Sequence, residues 1–275
     1  SLKDARDKAK RLLIDSPPEP TIAMRFSEAR DAFLADCRTR LRRSTVDRYF
    51  FALKDIKAKS LDTVSSNIAD PNQTKALKAM YNWCIDRDYT ERNPFMRRKV
   101  RFNQRERVLT DEEIRAVWHY DHKPFSDIVK LLLLTGQRRN QIWQLHPDWI
   151  GEDTIAFPAE VMMNAALHVI PFGELTAQYL PERPFSFNSW SKSKARIDRV
   201  TGVVDWTLHD LRRTFATAHA KIGTPIHVAE AHLSHSSGTI SGVAAIYFRH
   251  NWLEKMRVAV QRYEDHIKQI VGENY

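Results

Sequence analysis

The sequence runs to 275 residues, 43% of them hydrophobic and 10% aromatic, with only 8 glycines; such a chain is too apolar to be disordered and long enough for two cores. Its 43 Lys and Arg against 34 Asp and Glu give a formal net charge of +9 and a pI near 9.6, which puts a polyanion such as nucleic acid first among partners, with a merely solvated basic surface as the alternative. Cys37 and Cys84 are the only cysteines and form no Cys-x-x-Cys pair, which argues against a disulfide framework or a zinc site. With no apolar run near the roughly 20 residues of a membrane span and no signal-peptide pattern, the expectation is a soluble protein of a reducing, cytoplasmic compartment.

In chain order, residues 1–15 form a charged helical stretch that Pro17, Pro18 and Pro20 stop. From Thr21 to about Asn93 the pattern predicts four helices. Phe26, Ala29, Phe33 and Leu34 share one face; Ser44 and Thr45 can cap a helix carrying Val46, Tyr49 and Leu53; Leu77, Met80, Tyr81 and Cys84 repeat the spacing over 75–85. Asn93-Pro94 closes this region. Arg97, Arg98, Lys99, Arg101, Arg105 and Arg107 then place six basic residues in eleven positions, a run suited to a linker lying along phosphates or, alternatively, to a solvated connector.

Beyond it, Asp111-Glu112-Glu113 opens a helix with acidic charge at its positive end, and Phe125–Leu134 is a buried apolar helix broken by Gly136. Thr154–Pro158 and Leu167–Pro171 read as two strands joined by a turn. Helices are predicted over 173–180, 208–222, 226–233, 242–249 and 252–270, the last with a stripe of Trp252, Met256, Val260, Tyr263, Ile267 and Ile270.

Within this frame stand Arg138 in Thr-Gly-Gln-Arg, His209 and Arg212 in His-Asp-Leu-Arg-Arg-Thr, His235 in Leu-Ser-His, and Tyr247 in Ala-Ala-Ile-Tyr-Phe-Arg-His-Asn. Each alone has a bland reading: a surface arginine, a solvated helical pair, a satisfied core histidine, a packing tyrosine. Together they suit phosphoryl transfer. Guanidinium forks fit the non-bridging oxygens of a phosphodiester and never lose their proton, so two from distant segments can hold both oxygens as charge builds. His209 lies on the same side of its helix as Arg212 and can donate a proton or shuttle one. Tyr247 is a nucleophile only where its phenol, with an ordinary pKa near 10, meets a cationic field. His232 and His235 lack a third ligand for a metal, and Tyr263 fits its apolar stripe better than a nucleophile's place.

The order Arg … His-x-x-Arg … His … Tyr resembles that of the tyrosine recombinase (phage integrase) family, and the resemblance extends over roughly residues 21–275. It is strongest from Arg-Val-Leu-Thr-Asp-Glu-Glu-Ile (107–114) onward, and the motifs look most like the prophage and genomic-island branch. It implies a mainly α (α+β) fold: an all-helical core DNA-binding domain over 21–95, a basic linker over 96–107, and a mostly helical catalytic domain with a small antiparallel sheet over 108–275. Residues 1–20 would be a linker helix left from the junction with an arm-binding domain, or a short leader. The implied activity is site-specific cleavage and rejoining of double-stranded DNA at attachment sites through a 3′-phosphotyrosine, without metal, ATP or other cofactor. Tyr247 is the implied nucleophile, and Arg138, His209, Arg212 and His235 hold and protonate the phosphate. The implied assembly is a homotetramer on DNA, with a monomer in solution and DNA-bending and directionality factors as further expectations, and no membrane partner.

Three positions depart from the family pattern. The turn between the strands reads Glu160-Val-Met-Met-Asn-Ala-Ala-Leu-His168, with Met163 where the resemblance calls for a lysine that protonates the leaving 5′-oxygen, and no Lys or Arg occurs between Gly151 and Glu182. Lys192 and Lys194 are distant substitutes. Gln141 stands where relatives carry an acid, and Ser234 where they carry glycine. Met163 keeps a second reading open, that of a cleavage-impaired DNA-binding protein acting as regulator or architectural factor.

Overall fold

The computed structural model describes residues 24–65, 68, 70–99, 105–234 and 252–272. The stretch over 1–15, the helix expected over 242–249, and Arg101, His235 and Tyr247 lie outside the described residues. The chain divides into two compact units, Ser1–Gln104 and Arg105–Tyr275.

The first unit is helical: α1 (Phe26–Arg40), α2 (Arg43–Leu53), a 3-10 turn over Leu61–Thr63, and α3 (Pro71–Ile85). Four helices were expected; among the described residues there are three α-helices and this short turn. Its polar residues explain the difference, because the Ser60 N–H donates to Thr63 Oγ1 at 3.0 Å, a local bond that competes with helix extension. α2 begins at Arg43 rather than behind a Ser44 or Thr45 cap. α3 starts four residues before the expected Lys75, since Asp70 accepts from Asn72 N at 2.7 Å and Pro71 fits the first helical position. Phe26, Phe33, Leu53, Leu77, Met80 and Tyr81 fill the core. Asn93 ends the unit as a side-chain clamp, donating to Lys78 O and Asn82 Oδ1 and accepting from Phe95 N, while Phe95 is fully buried.

The second unit opens with α4 (Asp111–Trp118), started by a reciprocal box in which Thr110 and Glu113 bond each other's backbone N–H. There follow α5 (Phe125–Thr135), α6 (Arg139–Trp143), β1 (Thr154–Phe157), β2 (His168–Pro171), α7 (Glu174–Ala177), α8 (Trp190–Thr201), α9 (Leu208–Lys221), α10 (Ile226–His232) and α11 (Trp252–Val271). The two strands pair antiparallel with Thr154 opposite Pro171 and Phe157 opposite His168. α5 buries most of its length, with only Asp127 and Lys130 half-exposed, and packs on α9 in the core, where Phe125 and Ile128 join Phe157, Phe215 and Tyr263. α6 and α8 were not foreseen. α6 is a single polar turn, and among α8's residues only Ser193 and Ile197 are buried, too few to give a readable apolar period.

α11 buries Met256, Val260, Tyr263, Ile267 and Ile270 of its expected stripe, leaves Trp252 half-buried, and also buries Glu264. That carboxylate accepts from the N–H groups of Gly173, Leu175 and Thr176 at 3.0, 2.9 and 3.1 Å and from Thr176 Oγ1 at 2.6 Å. It thus satisfies the open N-terminal donors of α7 and anchors α11 against the end of the sheet. A Cβ on Gly173 would press on the same carboxylate, so a larger residue there would push Glu264 off its donors. Tyr263 donates to Leu133 O at 2.9 Å and stacks on His219, with ring centroids 4.6 Å apart.

Two predictions follow from this packing. Glu264→Ala strands three buried N–H groups and should lower stability by about 2–4 kcal/mol in urea unfolding, whereas a loss below about 0.5 kcal/mol would mean the carboxylate is not what holds α11. The second concerns three buried imidazoles. Burial holds His168 and His219 down at about 4, and His232 well below the ordinary 6.5. Between pH 6.5 and 4 the unfolded chain therefore takes up protons that the folded one refuses. Stability is complete above pH 6.5 and should fall as pH drops through that window, by about 1.4 kcal/mol per pH unit for each ring titrating. A urea midpoint at pH 5 equal to that at pH 7, or a slope unchanged in His219→Gln, would contradict this.

Candidate active site

The site is built where the end of α5 meets the start of α9. Gly136 closes α5 in the left-handed region at φ +62°, and a Cβ there would fall 2.6 Å from the Phe215 ring and 2.8 Å from Leu233. Both the turn and the close approach require glycine. The chain then delivers Arg138 to the start of α6, half-buried. Gln141, itself buried, accepts from Arg138 N at 2.9 Å and donates to Met162 Sδ, so its amide fixes the backbone under Arg138 rather than the guanidinium.

α9 supplies His209 and Arg212 from its first turn. Its Thr207 N–H and hydroxyl donate to Asp210 Oδ2 at 2.8 and 2.9 Å. Asp210 is completely buried between His209 and Arg212 in sequence and also pairs with Arg213 and Arg105. Burial pushes its carboxyl up, but the Thr207 bonds and the two guanidiniums outweigh that and hold it below the ordinary range.

Arg212 is only 4% exposed, and its fork donates to two backbone carbonyls, Gly136 O at 2.7 Å and Leu233 O at 2.6 Å. Burial and the charge of Arg138 beside it pull its pKa down to about 10. Among the described residues neither Arg138 nor Arg212 has a carboxylate within ion-pair distance, although Arg213, next to Arg212 in sequence, pairs with Asp210. Two coupled guanidiniums without counter-charge are costly, and the arrangement suits an anion bound by both. His209 reaches solvent, yet the protein packed around it and the charges of Arg213, Arg212 and Arg138 lower its pKa and favour the neutral ring.

His168, at the start of β2, is a residue that sequence reasoning passed over. Its ring is buried, lies within the field of both Arg212 and Arg138, and its Nε2 sits 2.9 Å from His232 O. A carbonyl partner requires Nε2 to carry the proton, leaving Nδ1 as the acceptor. The only signal for it was a histidine opening a short buried strand. His232 O also accepts from Gln137 at 2.9 Å. The carbonyls of 232 and 233 are thus fixed from three sides just before His235, itself outside the described residues. Ser234 adopts φ +53°, the left-handed conformation its glycine-like position demands.

The hairpin turn reaches the same place. Met163 is 73% exposed, and the next residue, Asn164, donates from Nδ2 to Ser234 Oγ at 3.4 Å. Lys194 is engaged elsewhere, bonded to Asp198 at 2.6 and 2.7 Å and lying 4.1 Å over the Trp206 ring, and Lys192 is exposed on α8. Arg138, His209, Arg212 and His168 therefore converge, whereas Tyr247 and His235 lie outside the described residues. Of the basic run, Arg97 and Lys99 are exposed and Arg98 donates to Ile68 O. Arg105 and Arg107 are held by Asp205, Asp210 and Glu113 within the second unit.

No protein-family model and no curated protein matches the chain. Among solved structures, a λ integrase (75–356) dimer bound to a COC′ core site is similar with a TM-score of 0.64 and 16% identity, covering 80% of this chain and 98% of that one. A λ integrase tetramer bound to a Holliday junction gives 0.61 and 14%, covering 88% of each. The integrase of mycobacterium phage Brujita gives 0.50 and 15%, covering 90% of this chain and 98% of that one. The chain has the fold of these phage integrases, a mainly α architecture with one small antiparallel sheet among the described residues.

Proposed function

We propose that this protein is a site-specific DNA recombinase that works through a tyrosine. The observation that carries the reading is that Arg212 bonds the carbonyl of Gly136, two residues before Arg138, and feels the Arg138 charge, while neither arginine has a carboxylate partner among the described residues. They would bind the two non-bridging oxygens of one phosphodiester. Tyr247 would attack phosphorus through its phenolic oxygen, forming the tyrosyl P–O bond while the bond to the 5′-oxygen breaks. His209, favoured neutral, and His235 would take the phenol's proton and donate to the phosphate. The departing 5′-oxygen takes up a proton, and in the reverse step the 5′-hydroxyl of a partner strand attacks the 3′-phosphotyrosine and restores the phenol. Bond energy is kept in the intermediate, so neither ATP nor metal enters.

The λ integrase structures were determined on a core site and on a Holliday junction, which supports duplex DNA as partner and a tetramer as the working assembly here. The unit over 21–95 would serve as the core DNA-binding domain and that over 108–275 as the catalytic domain. Arg97, Arg98 and Lys99, with Arg101, would lie along phosphates. DNA-associated action in the cytoplasm of a bacterial or phage-infected cell accompanies the reading.

One observation favours the second reading. With Met163 exposed on the hairpin and Lys194 tied to Asp198, the described residues offer no cation at the turn where the 5′-oxygen would be protonated. A recombinase fold kept for binding and architecture would show this.

The two separate on a nicked suicide duplex built from whatever direct repeat is found in the DNA flanking the gene. The recombinase reading expects a denaturation-resistant, 3′-linked protein–DNA adduct, formed without metal or nucleotide. Tyr247→Phe should abolish it, and Arg212→Gln should slow it by about 10²-fold or more. An adduct that survives Tyr247→Phe refutes the nucleophile assignment. Tight binding with no adduct, and adduct appearing in Met163→Lys, would establish the second reading.

A further inference from the structure

We propose that Arg105 is a positioning residue for the site, a clasp that sets the first turn of α9 and with it His209 and Arg212, rather than a phosphate contact of the linker. The inference rests on the recombinase reading for its meaning and on contacts within the second unit for its substance. Arg105 reaches two acids at once: Nη2 donates to Asp205 Oδ1 at 3.0 Å and to Asp205 O at 2.9 Å, and Nε lies 3.5 Å from Asp210 Oδ2. Asp205 stands at φ +51° in the loop that leads into α9, so its backbone is held in a conformation that non-glycine residues seldom adopt. Arg107 donates to the same Asp205 carbonyl at 3.3 Å and pairs with Glu113, the capping residue of α4.

Asp210 is the pivot. It is fully buried, it caps α9 through Thr207, and it is flanked by the two proposed functional residues three positions apart on one turn. Its Oδ1 is taken by Arg213 and its Oδ2 by Thr207 and Arg105. A buried carboxylate with three hydrogen-bond donors and the Arg105 guanidinium 3.5 Å from its Oδ2 cannot rotate without losing charge-assisted contacts, so Arg105 braces the turn carrying His209 and Arg212 from outside. The Arg105 side chain is 42% exposed, and the residue begins the second unit within the basic run. The clasp therefore ties the end of the linker to the geometry of the phosphate site, where a displacement of about 1 Å costs up to about 10²-fold in rate.

The test compares Arg105→Gln, Arg105→Lys and Asp205→Ala with wild type in single-turnover cleavage of the suicide duplex at saturating DNA. Dissociation constants, salt dependence and melting temperature are measured in parallel, so that the folded variants are known. A clasp predicts that Arg105→Gln slows cleavage roughly ten-fold at saturation while Kd stays within about two-fold of wild type. Arg105→Lys should recover part of the rate by keeping the charge, and Asp205→Ala should slow cleavage less, since Asp210 remains. Weakened binding with a salt slope reduced by about one and an unchanged saturated rate would make Arg105 a phosphate ligand and overturn the proposal; so would no change in any of these. If wild type forms no adduct, the recombinase reading fails separately, and the clasp is still decided by NMR. The His209 ring and Arg212 Nε signals should shift in Arg105→Gln and not in Arg199→Gln, an exposed change on α8, whereas unshifted signals would overturn it.

Discussion

A guanidinium buried to 4% exposure beside a second one, with only carbonyl oxygens to receive its donors, is the interaction that shapes this protein. A charge so placed demands either a neutralising acid or an anion from outside, and the described residues supply no acid. The surrounding elements are arranged to tolerate this. Gly136 turns out of α5 so that its carbonyl meets Arg212, Leu233 offers the other carbonyl from the end of α10, and Phe215 packs beneath both. The site's cationic character is thus fixed in the backbone, and the same contacts that hold Arg212 hold the segment leading to His235.

The remainder of the second unit acts as a frame for that arrangement. Asp210 closes the start of α9 and is in turn held by Arg105 and Arg213, while Glu264 ties α11 to α7 through four hydrogen bonds. Both are buried acids fully occupied by donors, so both confer rigidity at particular points rather than bulk stability. His168 links the sheet to the same centre. Its neutral ring accepts the neighbouring positive charges only because it carries none, which is consistent with its low pKa of about 4.

Much of this was legible in the sequence where one physical rule dominated. α5 and α11 are long and apolar enough to announce themselves, the acidic Asp111-Glu112-Glu113 marks the start of α4, and the two strands fall within a residue of their expected ends. The association of Arg138 with His209 and Arg212 was readable only through the order of motifs, since nothing in local spacing joins segments 70 residues apart. What escaped was governed by tertiary contacts. α8 buries too few residues to show a period, the 3-10 turn at Leu61–Thr63 is set by side-chain bonds, and the burial of Glu264 inverts the usual meaning of an acid on a helix. The basic run was read as uniform, yet Arg105 meets the carboxylates of Asp205 and Asp210 and Arg107 the carbonyl of Asp205, partners about 100 residues away that no local pattern encodes.

The claim at the centre is that Arg138 and Arg212 are held together for an anion and at a cost to the free protein. Melting of wild type and Arg138→Gln, with and without saturating duplex DNA, measures that cost directly. Relief of repulsion should leave Arg138→Gln as stable as wild type or more stable, by about 0.5–1 kcal/mol, without DNA, while most of the stabilisation by DNA is lost. A variant that is less stable alone, yet gains as much from DNA as wild type does, would contradict the account.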